Sequence, residues 1–207
     1  MWVPVAAPGP LPFVADVRAR EVALHGTADF AFWRDRLAAE HLVPAVEGGR
    51  ARVTVSTISA RFWGMPFREL VVVVWVAPAP GTPGTDGVYL AHAFNTSRLF
   101  AWCERAFFKT PYSSAPVTVE TGPPPLLQLG PVGEHVHLER RADVAASASD
   151  DWLWEGPIYV PRHGPDPGPV FFARLGGPTR SFPFAPESDR VTIDTPKPSI
   201  RISFNEF

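Results

Sequence analysis

The chain has 207 residues, a length that suits one domain with a sizeable core or two very small ones. Hydrophobic residues make up 45% and charged residues 19%, which predicts a folded globular protein. The net charge of −2, with no basic stripe, argues against nucleic acid as a partner, and the single cysteine excludes an internal disulfide framework.

The N-terminal part of the chain predicts a strand followed by a helix. Residues 14–24 alternate loosely between apolar and polar side chains, a pattern that predicts a strand. In residues 28–40, Trp33 and Leu37 follow the spacing of a helix with one apolar side. Thr27 is the predicted N-cap of this helix.

Three strands are predicted in the next part of the chain. Residues 50–60 and 67–76 are rich in β-branched side chains, which are typical of strands. Residues 88–94 predict a third strand, which follows a loop rich in proline and glycine.

A second helix is predicted over residues 95–108, with Asn95 or Thr96 as its N-cap. The apolar residues of this segment recur at helical spacing, so one side should be buried. The residues predicted on that side are Leu99, Trp102, Cys103 and Ala106.

The distribution of proline indicates many short strands. The 25 prolines and 16 glycines are spread along the chain, and proline is excluded from helix interiors but tolerated at turns and sheet edges. We therefore predict a β-rich α+β fold with two or three helices. We expect a single domain over residues 1–207, a closed or nearly closed antiparallel β-barrel, because closure removes exposed strand edges.

Two features bear on the location of the protein. The N-terminus, MWVPVAAPGPLPF, has no positively charged start and is interrupted by proline, so no signal peptide is predicted. The longest apolar run, at residues 70–77, is far shorter than the roughly 20 residues that span a bilayer. A cytoplasmic protein without a membrane partner is predicted.

An ordered series of segments then stands out. RARVTVS, WGMPFRE, GVYLAHAF, SRLFAWCER and KTPYSS follow one another between residues 50 and 114. The series resembles the acetoacetate decarboxylase superfamily, and the resemblance covers roughly residues 13–120. It implies a β-barrel or cone around a hydrophobic cavity, in which a lysine forms a Schiff base with a ketone substrate.

The sequence departs from that superfamily at the nucleophile. Two adjacent lysines directly follow the proline in the decarboxylases, whereas Tyr112 and Ser113 follow Pro111 here. Lys109 precedes the proline by two residues, so its Cα is displaced by several ångströms. The resemblance therefore predicts that imine chemistry is lost, and a lyase that uses Lys109 for imine formation is the alternative.

Two candidate catalytic residues remain. The resemblance keeps a glutamate at Glu69, and a carboxylate in an apolar chamber has a raised pKa that suits acid–base catalysis. The hydroxyl of Tyr112 can donate a hydrogen bond to a carbonyl or enolate oxygen. The structural alternatives are a strand-end carboxylate paired with Arg61 or Arg68, and a tyrosine that only packs beside proline.

Further residues are candidates for contact with the substrate. Phe67 and Trp75 share a strand face with Glu69. The resemblance places Thr54 at a second acidic position of the superfamily and matches Arg20 to an arginine of its first strand. The orientation of His92 depends on one residue of register. The predicted substrate-binding residues are Arg20, Thr54, Phe67, Trp75, His92 and Ser113.

A possible metal motif lies near residue 135. His135, His137 and Glu139 alternate along one predicted strand, a spacing that can chelate zinc or iron. Ligands on one flat strand seldom converge with a fourth, so a solvated strand face is the preferred interpretation. We predict no metal and no other cofactor.

Three functions are consistent with these residues. The first is a cofactor-free enzyme that folds a hydrophobic, polyketide-like molecule in a cavity and promotes cyclisation, isomerisation or elimination. The second is the lyase that uses Lys109, either a decarboxylase or an aldolase-like enzyme. The third is a barrel that carries or senses a hydrophobic ligand without catalysis. The expected partner is a hydrophobic small molecule, with a homo-oligomer as a further possibility.

Overall fold

The structure is a computed structural model, and it describes residues 2–4, 18–62, 64–120, 126–129, 136–138, 147–162, 170–183, 192–194 and 201–203. The two helices of this part of the chain are α1 (Phe30–Ala38) and α2 (Arg98–Phe108). The first strands are β1 (Trp2–Pro4), β2 (Arg18–Ala28), β3 (Leu42–Pro44), β4 (Val46–Glu47), β5 (Arg50–Phe62), β6 (Met65–Pro78), β7 (Gly87–Asn95) and β8 (Tyr112–Ser114). The others are β9 (Val117–Glu120), β10 (Leu126–Leu129), β11 (Val136–Leu138), β12 (Ser147–Tyr159), β13 (Val170–Pro183), β14 (Thr192–Asp194) and β15 (Arg201–Ser203).

Most strands belong to one 10-stranded sheet. Its order is β3-β6-β5-β2-β13-β12-β7-β8, with β1 on β13, β4 on β5, and a further pairing of β6 with β7. Two smaller sheets contain β11-β10-β9 and β14-β15. The predicted β-rich fold with two helices is confirmed for the described residues. The pairing of β12 with β7 is limited to Ile158↔Val88 and Tyr159↔Tyr89, so closure into a barrel and the single domain remain predictions.

Helix α1 covers one face of the sheet, called here the α1 face. Trp33 and Leu37 are buried, as predicted, and they belong to one core cluster with Val74 and Val76 of β6. The N-cap is Asp29 rather than the predicted Thr27, since the Asp29 Oδ1 accepts a hydrogen bond of 2.6 Å from the backbone N–H of Phe32.

Helix α2 packs on the opposite face, called here the α2 face. The N-cap is Ser97, not the predicted Asn95 or Thr96, and its Oγ accepts a hydrogen bond from the Phe100 N–H at 3.3 Å. Ala101 is fully buried in a cluster with Tyr112, and the Phe100 ring meets Phe67 edge-on at 5.3 Å. The inner side of α2 therefore runs through residues 100, 101, 104 and 108.

The predicted inner side of α2 was wrong for Leu99 and Trp102, whereas the other two predicted residues, Cys103 and Ala106, are half-buried. Leu99 is 57% exposed and Trp102 is 52% exposed, so both point away from the sheet. The prediction failed because a glutamate, Glu104, lies on the inner side. A prediction from the spacing of hydrophobic residues assigns only apolar residues to the buried side of a helix. A buried polar residue of this kind is typical of a functional position.

The two faces differ in burial along β6. Leu70, Val72, Val74 and Val76 are fully buried on the α1 face. The alternate residues Glu69, Val71, Val73 and Trp75 lie on the α2 face and are only half-buried, although β6 lies between β5 and β7. Along β6 the α2 face therefore keeps some accessible surface over the interior of the sheet, whereas the α1 face does not. Among the described residues, neither helix is long and apolar enough to cross a membrane.

Candidate active site

Two glutamates and an asparagine lie in one row across the α2 face. Pairing of neighbouring strands aligns Glu21 with Ile58, Ile58 with Glu69, and Glu69 with Asn95. Aligned residues of paired strands point to the same face of a sheet. The fold therefore brings together side chains that are up to 74 positions apart in the chain.

Glu69 is held by two hydrogen-bond donors. The Asn95 Nδ2 donates to Glu69 Oε2 at 3.3 Å, and the hydroxyl of Tyr112 donates to the same carboxyl group. The other end of the Asn95 amide is fixed because its Oδ1 accepts a bond of 2.7 Å from the Ser97 N–H. The asparagine thus connects the start of α2 to the carboxyl group.

The environment of Glu69 raises its pKa to about 7, mainly through burial. The hydrogen bonds from Tyr112 and Asn95 lower this pKa, whereas the negative charges of Glu104 and Glu21 raise it. The residue keeps some accessible surface, although protein atoms surround its carboxyl group. A carboxyl that titrates near neutrality can both accept and donate a proton under physiological conditions.

Glu104 adds a second carboxyl group from α2. The Thr110 Oγ1 donates to Glu104 Oε2 at 3.3 Å, and the backbone N–H of Lys109 caps the helix at the Glu104 carbonyl. Burial raises the pKa of Glu104 to about 7, with the bond from Thr110 opposing the rise. Glu104 and Glu69 thus titrate in the same range within one site.

Tyr112 lies beside both carboxyl groups. Burial raises its pKa well above the ordinary value, and the charges of Glu69 and Glu104 raise it further. The phenol therefore stays protonated and acts as a hydrogen-bond donor. The backbone of Tyr112 is held by Arg105, whose Nη1 donates to its carbonyl at 3.0 Å.

Glu21 completes the acidic end of the face. The Ser56 Oγ donates a hydrogen bond to Glu21 Oε1. Burial raises the pKa of Glu21, and this hydrogen bond lowers it in part.

A second polar cluster lies farther along the same face. The Thr54 Oγ1 lies 2.9 Å from His25 Nδ1 and accepts a hydrogen bond of 3.0 Å from Trp75 Nε1. The Arg52 guanidinium stacks over the Trp75 ring, with its carbon 4.1 Å from the ring centroid. Thr54 and Trp75, both predicted to contact the substrate, therefore belong to one hydrogen-bonded group on the α2 face.

Lys109 and Ser113 lie away from these clusters. Lys109 is exposed in the left-handed conformation that ends α2, at φ 57°, and its Nζ donates to the Ala106 carbonyl at 3.2 Å. Ser113 is exposed on the edge strand β8, on the face opposite to its neighbour Tyr112.

His92 also lies on the other side of the sheet. A register shift between Val72 and Val73 pairs Val72 with His92 and places the histidine on the α1 face. Burial, together with the positive charge of Arg36 on α1, lowers the pKa of His92 to about 3. The imidazole is thus neutral and separated from Glu69 by the sheet.

The remaining predicted residues are only partly described. Arg20 lies in β2 opposite Ser59, but its side chain is outside the described part of the chain. His137 lies in β11, whereas His135 and Glu139 fall outside the described residues. Within the described residues, no group of three His, Cys, Asp or Glu side chains is arranged to hold a metal ion.

Four residues of the α2 face were not predicted as site residues: Glu21, His25, Asn95 and Glu104. Glu21 and His25 were detectable in principle, because they alternate with Ala23 along a strand that also carries apolar residues. Asn95 was considered only as a helix cap. Glu104 carries no sequence signal, because a single glutamate in a helix is usually solvated.

No family model matches the chain, and no curated protein matches it. Among solved structures, an acetoacetate decarboxylase from Legionella pneumophila is similar at 14% identity and a TM-score of 0.42, over 89% of this chain and 94% of that one. The enduracididine biosynthesis enzyme MppR, complexed with the condensation product of pyruvate and imidazole 4-carboxaldehyde, is similar at 12% identity and a TM-score of 0.44, over 77% and 67%. An acetoacetate decarboxylase-like enzyme from Sphingomonas wittichii RW1 is similar at 14% identity and a TM-score of 0.40, over 78% and 90%.

Proposed function

We propose that the chain is a cofactor-free enzyme that binds a hydrophobic, polyketide-like molecule against the α2 face and promotes its cyclisation, isomerisation or elimination by acid–base catalysis. One observation carries the proposal. The Glu69 carboxyl has a pKa of about 7, is hydrogen-bonded to Tyr112, and lies half-buried where the sheet keeps accessible surface.

The chemistry follows from these two groups. The Glu69 carboxylate removes a proton from a carbon next to a carbonyl, and the electron pair moves to the carbonyl oxygen. As Glu69 takes up the proton, the Tyr112 hydroxyl turns its single hydrogen from that carboxyl to the carbonyl oxygen and donates a hydrogen bond to it as the negative charge develops. The protonated Glu69 then returns the proton to another carbon or to a leaving group, which completes isomerisation or elimination.

Glu104 supports this cycle by its charge. Ionisation of one carboxyl raises the pKa of its neighbour, so the pair favours a state with one proton near neutrality. Such a pair offers a base and an acid at the same time.

The proposed substrate is hydrophobic because the surface around Glu69 is hydrophobic. Ile58, Val71, Val73 and Trp75 are half-buried on the α2 face and surround the polar groups. A largely apolar surface with a few placed polar groups is typical of small-molecule sites.

The lyase that uses Lys109 has less support. The chain contains two lysines, Lys109 and Lys197. The Nζ of Lys109 lies on the carbonyl of Ala106 at the outer end of α2, and Lys197 is outside the described residues. A barrel that carries a hydrophobic ligand without catalysis remains the alternative that a turnover assay decides.

A probe of base strength tests the proposal without the natural substrate. In 5-nitrobenzisoxazole a base removes the ring C–H proton, the N–O bond breaks, and a coloured phenolate forms. We expect the protein to accelerate this reaction with a rate that rises through pH 7. The Glu69→Gln variant should lose about 10²–10⁴-fold in rate.

The matched control is Glu155→Gln, which removes an exposed carboxyl on β12 and should leave the rate unchanged. A rate no higher than that of free acetate at the same concentration, or equal rates in both variants, would overturn the catalytic role of Glu69.

A further inference from the structure

Two hydrogen bonds link His25, Thr54 and Trp75. An indole N–H can only donate, so the Thr54 oxygen is an acceptor for Trp75. The single hydroxyl hydrogen of Thr54 is then available to its other neighbour, His25 Nδ1, at 2.9 Å, although the second lone pair of the hydroxyl could instead accept from a protonated Nδ1.

Donation by Thr54 selects one of the two neutral tautomers of His25. Burial lowers the pKa of His25, as does the positive charge of Arg52, while Glu47 has the opposite effect. The imidazole is therefore neutral at neutral pH, and with Nδ1 as the acceptor its proton resides on Nε2. His25 thus has a donor that the Thr54 bond does not use.

The distance between this cluster and the acidic end follows from strand geometry. His25 lies four positions after Glu21 on β2, which at about 3.3 Å per residue is about 13 Å. Glu69 lies two strands away from β2, about 10 Å at about 4.8 Å per strand, so His25 and Glu69 are about 16 Å apart across the face. Between the two rows the α2 face has a row of short side chains, which is formed by Ala23, Ser56, Val71 and Ala93. Three of these four side chains, those of Ala23, Ser56 and Ala93, are buried, and a ligand that extends from one polar end to the other would lie over this row of short side chains.

We propose that His25, with its Nδ1 accepting from Thr54, is a specificity-determining residue, which donates its Nε2–H to an uncharged oxygen of the substrate about 16 Å from the carbon that reacts at Glu69. The substrate class is an elongated and largely apolar molecule with a carbonyl group near Glu69 and a second ketone, ether or hydroxyl oxygen at the far end. The orientation of the substrate in this assignment, with the reacting carbon near Glu69, rests on the proposed function.

Two synthetic probes test the assignment. Both are linear 1,3-diketones of equal length, and one has a ketone oxygen about 16 Å from the diketone where the other has a methylene group. Binding is measured by titration calorimetry, which does not depend on turnover. We expect the natural chain to bind the oxygenated probe about five- to tenfold more tightly.

Four variants separate a hydrogen bond from a general loss of packing. His25→Phe should abolish the preference, His25→Gln should keep part of it because it retains an N–H donor, and Thr54→Val should reduce it because His25 loses its orienting partner. Val73→Ala, in the same row as Thr54, should weaken both probes equally and keep the preference.

Equal affinity for the two probes in the natural chain, a preference that survives in His25→Phe, or no binding of either probe would overturn the assignment. A preserved preference in a protein that does not accelerate 5-nitrobenzisoxazole elimination would instead refute the catalytic role of Glu69 and support the assignment of His25.

Discussion

The raised pKa of Glu69 predicts that the protein becomes less stable as the pH rises. The unfolded chain ionises this carboxyl near 4.5, whereas the folded protein does so near 7. Between these values the folded state binds more protons, so stability is fully present below pH 4.5 and falls as the pH approaches 7. The difference of about 2.5 in pKa, at about 1.36 kcal/mol for each unit, corresponds to a loss of about 3 kcal/mol.

The substitution that isolates this effect is Glu69→Gln, which keeps the shape and hydrogen-bonding reach of the side chain but removes its ionisation. We expect the natural chain to lose about 3 kcal/mol more than the variant between pH 4 and pH 8. The free energy of unfolding is measured by urea denaturation at several pH values. Glu155→Gln, at an exposed position, should retain the pH dependence of the natural chain.

Parallel pH profiles of the natural chain and Glu69→Gln would refute the reasoning, because a carboxyl in an ordinary environment contributes no such difference. A steeper fall in the variant would refute it as well, since the sign of the linkage would then be reversed.

Three further predictions concern single residues. Tyr112→Phe removes a hydrogen bond that lowers the pKa of Glu69, so the midpoint of the pH–rate profile with 5-nitrobenzisoxazole should move to higher pH. An unchanged midpoint would contradict the hydrogen bond between Tyr112 and Glu69. Borohydride in the presence of acetoacetate should leave Lys109 unmodified in peptide mass spectrometry, because its Nζ lies on the Ala106 carbonyl; an adduct there would favour the lyase. Gly87→Ala should lower the free energy of unfolding in urea by about 3 kcal/mol, since a Cβ would lie 2.2 Å from the Pro157 carbonyl oxygen. A loss below about 1 kcal/mol would show that the backbone adjusts.

Local sequence was sufficient to predict the elements around the site. Helical spacing of Trp33 and Leu37 identified α1 and its buried side, and β-branched runs identified β5 and β6. Alternation also placed Glu69 and Trp75 on one strand face, because the side-chain period of a strand is two residues. These features depend only on neighbours in the chain.

Tertiary structure decided which residues meet Glu69. Strand pairing placed Glu21 and Asn95 in the same row as Glu69, and α2 brought Glu104 close to Glu69. These residues are so far apart in the sequence that no local pattern predicts their contact. The inner side of α2 was mispredicted because hydrophobic periodicity assumes that buried residues are apolar. A glutamate breaks that assumption when neighbouring groups stabilise it.

The position of His92 on β7 is a further feature that the sequence alone does not predict. The sequence GVYLAHAF predicts a strand, but a shift of one residue in its pairing with β6 moves His92 to the α1 face. The opposite holds for the position after Pro111, where the sequence alone shows that tyrosine replaces the lysine of the superfamily it resembles. Residue identity at a motif is determined by the sequence, whereas the face on which a side chain lies depends on long-range pairing, because one residue of register reverses it.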